Sequence, residues 1–297
     1  MVDPARYTVG WICALGVEYV AARAFLDQRH PRPNALSAND NNQYTLGDVR
    51  DHLLVIAVLP DGEYGVSSAA SVARDMLHSF LQDIRLVDVV VSSSRGGNHG
   101  GLLCYDLGKK LQGSDFLRQD FSTGHLSYEQ QNQLEKIIQM VLERNARMRR
   151  KYAPPGSHND RLYKSDYVTV IVKTAAMSSG TIWSCSVGRE EPATRMTPAI
   201  HYGQIASGSK RVRNALFRVR MAVKQGILCF EMEATGLANH FPCLVVRGTC
   251  DYADSRKSKV WQGYAAMTAA AYAKDLLYQI VPQQVMSEHK ASGILSS

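Results

Sequence analysis

The sequence predicts an α/β protein, a three-layer α/β/α sandwich around a central mixed, largely parallel sheet. Three observations predict it. Short apolar runs rich in β-branched and aromatic residues alternate with helically periodic segments from residue 7 to about residue 281, the pattern of repeated strand and helix units. A length of 297 residues, 45% hydrophobic and 21% charged, suits one α/β core and excludes disordered and collagen-like chains. Tyr7 to Leu15 is apolar almost throughout, as a strand buried on both faces of a parallel sheet must be.

The next segment, Val17 to Leu26, places Val20, Ala21, Phe25 and Leu26 at helical spacing. After the polar break Ser37 to Gln43, two strand-like runs, Tyr44 to Val49 and His52 to Leu59, meet through Arg50 and Asp51 as a hairpin. Pro60-Asp61-Gly62-Glu63-Tyr64-Gly65 then turns the chain into a helix from Ser67 to Phe80, where Ala69, Ala70 and Ala73 allow close approach to a sheet. Ile84 to Ser92 reads as a strand, and Gly96, Gly97, Gly100 and Gly101 as a surface loop. A long amphipathic helix is expected from Ser127 to about Arg150, with Leu134, Ile137, Ile138, Val141 and Leu142 on its apolar face. Tyr167 to Val172 is strand-like, and Met177 to Thr197 is an irregular polar excursion. The last third resumes the alternation: helix Arg211 to Lys224, strand Ile227 to Met232, a short helix to His240, strand Leu244 to Thr249, and a closing helix Gln262 to Val281. One domain over residues 6–281 is expected, with 282–297 as a tail or linker.

The net charge is +7 with a pI near 9.1, which raises the question of nucleic acid. Between Arg144 and Lys164 stand seven basic residues and one acid, Asp160, so this stretch accounts for almost the whole excess. Only Tyr152 and Tyr163 interleave with these charges, too few for a stacking platform. The patch reads as a solvated helix end or a phosphate-binding edge, and no nucleic-acid partner is expected. Six cysteines occur without a C-x-x-C pair or zinc spacing, so they are expected to be reduced and mostly buried, with no metal bound. Nothing approaches the roughly 18 consecutive apolar residues of a membrane span. No membrane partner and a cytoplasmic location are expected.

In open α/β sheets, ligands sit beyond the carboxyl ends of the strands. Three carboxylates fall there: Glu18 after the first strand, Glu233 after Ile227 to Met232, and Asp251 after Leu244 to Thr249. Each also has a structural explanation. Glu18 and Glu233 suit the first turn of a helix, and Asp251 suits the turn Asp251-Tyr252-Ala253-Asp254.

Several motifs decide between these readings. Phe230-Glu231-Met232-Glu233-Ala234-Thr235-Gly236 and Val245-Val246-Arg247-Gly248-Thr249-Cys250-Asp251 resemble the ribose-and-base signature of the nucleoside phosphorylase family. Cys13-Ala14-Leu15 with Glu18 resembles its methylthioadenosine/S-adenosylhomocysteine nucleosidase branch. The runs WICAL, VLPDGEYGVSSAASVARDMLHSF, AIHYGQIAS and WQGYAAMTAAAYAKDLL further resemble the phosphorylase-like domains at the N-terminus of fungal immune-receptor-like proteins. The resemblance implies hydrolysis of a purine N-glycosidic bond, probing a nucleoside or a nucleotide, with adenine as the expected base and no cofactor. It implies that Glu233 holds the ribose hydroxyls, Met232 packs on the sugar, Asp251 protonates the leaving purine, and Glu18 activates water. Arg149 and Arg150 would contact phosphates if the substrate is a nucleotide. Assembly as a homo-oligomer is implied as well.

In one respect the chain departs from the family. Between the helix ending near Phe80 and Ile84, the strand and glycine-rich loop that usually line the pocket are absent, so one core strand is expected to be missing. Val87 also replaces a usual glycine, and Cys250 replaces the serine of many bacterial members. Phosphorolysis, and a catalytically impaired ligand-sensing or interaction module, therefore stand as alternatives to hydrolysis.

Overall fold

The computed structural model describes residues 3–33, 36–80, 86–87, 102–104, 128–160, 162–163, 165, 186–187, 198, 200–238, 243–256 and 258–282. The expected strand Tyr167 to Val172, the glycines Gly96, Gly97, Gly100 and Gly101, and nearly all of the tail lie outside these residues.

Strand β1 (Val9–Cys13) is buried at every position, as its unbroken apolar run requires. It leads directly into α1 (Gly16–Ala24). A short edge strand, β2 (Gln28–His30), precedes the hairpin of β3 (Tyr44–Val49) and β4 (His52–Val58). Arg50 takes a positive φ of 56° in that hairpin's two-residue turn. Helix α2 (Val66–Ser79) follows, and then β5 (Leu86–Val87) and β6 (Leu102–Cys104). Next come α3 (Tyr128–Arg144), α4 (Arg149–Tyr152), β7 (Leu162–Tyr163) and β8 (Ser186–Val187). The chain ends with β9 (Gln204–Ser207), α5 (Ala215–Gln225), β10 (Ile227–Glu231), α6 (Ala234–Ala238) and α7 (Gln262–Gln279).

A five-stranded mixed sheet runs β2-β3-β4-β1-β5, with β1 parallel to β4 and β5 and the other pairs antiparallel. Alternation along its strands separates two cores. Val9, Trp11 and Cys13 of β1 and Leu54 and Ile56 of β4 pack with α1, α3 and α7. On the opposite face Ile12, Leu46, Val55 and Ala57 pack with α2 and with Leu237 of α6. Helix, sheet and helix layers thus follow from the two-residue period of the strands. Each fully buried aliphatic side chain here contributes about 1.5–3 kcal/mol.

Among the described residues the parallel strands β10-β9-β6 form a second sheet rather than a continuation of the first. On its other side β1 pairs with β5, Leu86 opposite Val9 and Val87 opposite Gly10.

Four sequence expectations need correction. The long helix stops at Arg144 instead of Arg150, because the Asn145 side chain turns back to the Val141 carbonyl at 2.9 Å. The helix expected from Arg211 begins at Ala215, where Asn214 accepts the Phe217 amide at 3.0 Å as an N-cap. Leu244 to Thr249 is extended but makes only isolated bridges at Cys243 and Val245, not a ladder. Its side chains still alternate, with Leu244 and Val246 toward the α1 and α7 core and Val245 toward Ile205 and Ala234. Finally, the excursion from Met177 to Thr197 contains β8, which pairs with β7.

Candidate active site

Glu18 stands in the first turn of α1, just past the carboxyl end of β1. Its Oε2 accepts the Ala14 and Leu15 amides at 2.9 and 3.1 Å, so the helix-terminus role foreseen for it is real. Burial pushes its pKa up; Arg247 and those two amides oppose that rise, and Glu233 reinforces it. Glu18 therefore senses charges contributed by the far end of the sequence.

A second group is built at the end of β10. Glu231 is buried, and its Oε2 accepts the Glu233 and Ala234 amides at 2.8 and 2.7 Å, which fixes the entry into α6. The Ser207 side chain also hydrogen-bonds to this carboxylate. Glu233 is half-buried, and its two oxygens accept the Gly65 amide at 3.3 Å and the Met232 amide at 3.2 Å. Gly65 caps α2 with φ 93° and ψ −179°, a combination open to glycine and strained for other residues. Only such a residue brings the start of α2 onto Glu233.

Arg247 joins the two groups. It interacts electrostatically with Glu18, Glu231, Glu233 and Cys229; burial opposes its charge, but the carboxylates keep it firmly protonated. It nevertheless retains substantial solvent-accessible surface. Burial pushes the Cys229 thiol up to about 11, so it remains neutral beside this cluster. Glu231 is likewise pushed up, first by burial, with Arg247 opposing.

The segment carrying Arg247 continues over α7 to Asp251. Gly248 is pressed onto that helix: a Cβ there would lie 2.1 Å from the Ala265 carbonyl oxygen. Asp251 Oδ1 accepts the Ala253 amide at 2.9 Å, and the Cys250 thiol lies 3.6 Å from Oδ2.

The structure thus brings Glu18 and Glu233 into one electrostatic cluster, with Met232 between Glu231 and Glu233 in the chain. Asp251 stands just beyond Arg247 in the same segment. Arg149 and Arg150 are exposed on α4, and Arg149 Nε donates to the Leu142 carbonyl at 3.2 Å, closing the end of α3. Sequence reasoning gave no role to Glu231, Arg247 or Gly65. The available signal was a lone cation in the apolar run Leu244 to Thr249.

No family model matches the chain. Over 301 residues it is 36% identical to a nucleotide-binding leucine-rich repeat (NLR)-like protein of Hyaloscypha variabilis. The chain is similar to one segment of that protein. The match covers 94% of the chain and spans 30% of the relative's length. Solved structures with likeness include the futalosine hydrolase of Helicobacter pylori, at 15% identity and a TM-score of 0.46, covering 93% of this chain and 99% of that one. A 5'-methylthioadenosine/S-adenosyl homocysteine nucleosidase of the same organism gives 14% and 0.47, covering 93% and 100%. The 5'-methylthioadenosine/S-adenosylhomocysteine nucleosidase of Neisseria meningitidis, bound to methylthio-immucillin-A, gives 14% and 0.48, covering 92% and 99%. Among the described residues, no helix is long and apolar enough to cross a membrane.

Proposed function

We propose that the Glu18, Glu231, Glu233 and Arg247 cluster lines a cleft that hydrolyses the N-glycosidic bond of a purine nucleoside or nucleotide and releases the base. The observation that carries the reading is the cluster of Glu18, Glu231 and Glu233 around Arg247. Loss of a purine leaves a ribosyl cation, which carboxylates at the strand ends would stabilise. Glu233, held by the Gly65 and Met232 amides, would accept hydrogen bonds from the ribose hydroxyls, with Met232 against the sugar. Glu18 uses Oε2 for backbone donors, and its Oε1 would hold the attacking water. Arg247 favours the ionised form of Glu18, the form a general base needs. Asp251 would protonate the departing purine.

Charge favours water over phosphate as the nucleophile. Among the described residues three carboxylates interact with the Arg247 guanidinium, so a phosphate dianion would meet a field in which negative groups outnumber that cation. A second reading, binding without turnover, is favoured by the likeness to a nucleotide-binding leucine-rich repeat (NLR)-like protein. One assay separates them. Adenosine, methylthioadenosine, AMP and ATP are incubated with the protein, with and without phosphate, and free base and sugar are measured. Hydrolysis gives base in the absence of phosphate; phosphorolysis requires phosphate; a binding module gives none.

A further inference from the structure

The turn that bears Asp251 is anchored from elements outside the carboxylate cluster. Ala253 has a φ of 51°, in the left-handed region that residues with a Cβ avoid. Its amide is the donor to Asp251 Oδ1, so this local kink sets the direction of the carboxyl group. Tyr252 lies between the two and is gripped at both ends. Arg218 of α5 donates from Nη1 to its carbonyl oxygen. Its phenol donates to Asp160 Oδ1 at 2.7 Å. The Asp160 turn is itself tied back, because Trp261 Nε1 donates to the Asn159 carbonyl at 3.1 Å. On the far side, Asp254 accepts the Arg256 amide at 2.8 Å, and the Arg256 guanidinium lies 4.4 Å from the centre of the Tyr163 ring.

We propose that Tyr252, clamped by Arg218 and Asp160, is the positioning residue that fixes the Asp251 carboxyl group for proton transfer to the leaving base. As the glycosidic bond breaks, its electron pair passes to the purine, which takes the Asp251 proton, while water adds to the sugar carbon and gives up its own proton to Glu18. The inference rests on the assignment of Asp251 as the general acid. A strained turn keeps its shape only where its surroundings over-determine it, and two side-chain anchors on one residue supply that constraint. A misplacement near 1 Å is enough to slow such a step by about 10²-fold.

Two substrates test the inference. A purine nucleoside needs leaving-group protonation, whereas a p-nitrophenyl riboside, whose leaving group is a stable anion, does not. Tyr252→Phe, Asp160→Asn and their combination are expected to lower kcat on the purine nucleoside at least about tenfold, with KM nearly unchanged. The double variant should be no slower than the slower single one. Cleavage of the p-nitrophenyl riboside should remain at the wild-type rate. Equal slowing on both substrates, or no slowing on either, overturns the clamp. Asp251→Asn distinguishes the underlying assignment: loss of purine release with retained p-nitrophenyl riboside cleavage supports it. Failure of the wild-type protein to cleave either substrate, or full purine release by Asp251→Asn, overturns the assignment and the clamp with it.

Discussion

Replacing Gly248 by alanine tests whether the segment bearing Arg247 and Asp251 is positioned by contact with α7. A Cβ at this position would lie 2.1 Å from the Ala265 oxygen, 2.5 Å from its carbonyl carbon and 3.1 Å from its Cα. All three atoms are helix backbone, so no rotamer change relieves the overlap. Reaching an ordinary contact of 3.4 Å requires the segment to move by about 1.3 Å. Overpacking of this kind costs about 1–3 kcal/mol, which for a domain of this size lowers Tm by roughly 2–5 °C. The same displacement carries Arg247 away from Glu18 and Asp251 away from the base, and should lower kcat/KM for base release by about 10²-fold. Thermal denaturation read by circular dichroism, together with initial rates of base release, measures both effects. Gly16→Ala serves as the control, because a Cβ there meets nothing within 4 Å although the residue begins the helix that carries Glu18. Wild-type stability and activity in Gly248→Ala would refute the reasoning.

Other consequences follow from the same geometry. Gly65→Ala has room for its Cβ but must abandon φ 93°, so it should lose about 1–3 kcal/mol in denaturant melts and weaken substrate binding through Glu233. Burial raises the folded-state pKa of Glu231 above the ordinary 4.5, so the folded protein holds that proton to higher pH than the unfolded chain does. Stability from this group is present below about 4.5 and is lost as pH rises through the folded value; urea melts of Glu231→Gln should show a shallower loss over that interval. Arg247→Met removes the cation that opposes the rise at Glu18, and the acid limb of the kcat/KM profile for base release should move to higher pH.

The legible parts of the fold were those in which burial acts on consecutive residues. β1 and β4 show as apolar runs because both of their faces are covered, and α2 shows through its small residues against the sheet. The short strands β2 and β9 were missed, since Gln28, Arg29 and His30 lie at a sheet edge and Gln204 to Ser207 present only a brief, mixed pattern. Within the site, Glu18 and Glu233 were visible because their position after strands has a local signature. Arg247 was not assigned, because its meaning depends on carboxylates brought from residue 18 and from residues 231 and 233 by tertiary packing. Clustered charge pointed to Arg149 as a phosphate contact, and packing gives it a further part, donating to the Leu142 carbonyl where α3 breaks at Asn145.

The most direct measurement of the central claim is product analysis after incubation with purine nucleosides in heavy-oxygen water, without phosphate, for the wild-type protein and Asp251→Asn. Hydrolysis at this cleft predicts free purine and a sugar carrying the heavy oxygen at its anomeric carbon, with release lost in the variant. Absence of base release, release that requires phosphate, or equal release by Asp251→Asn would contradict it.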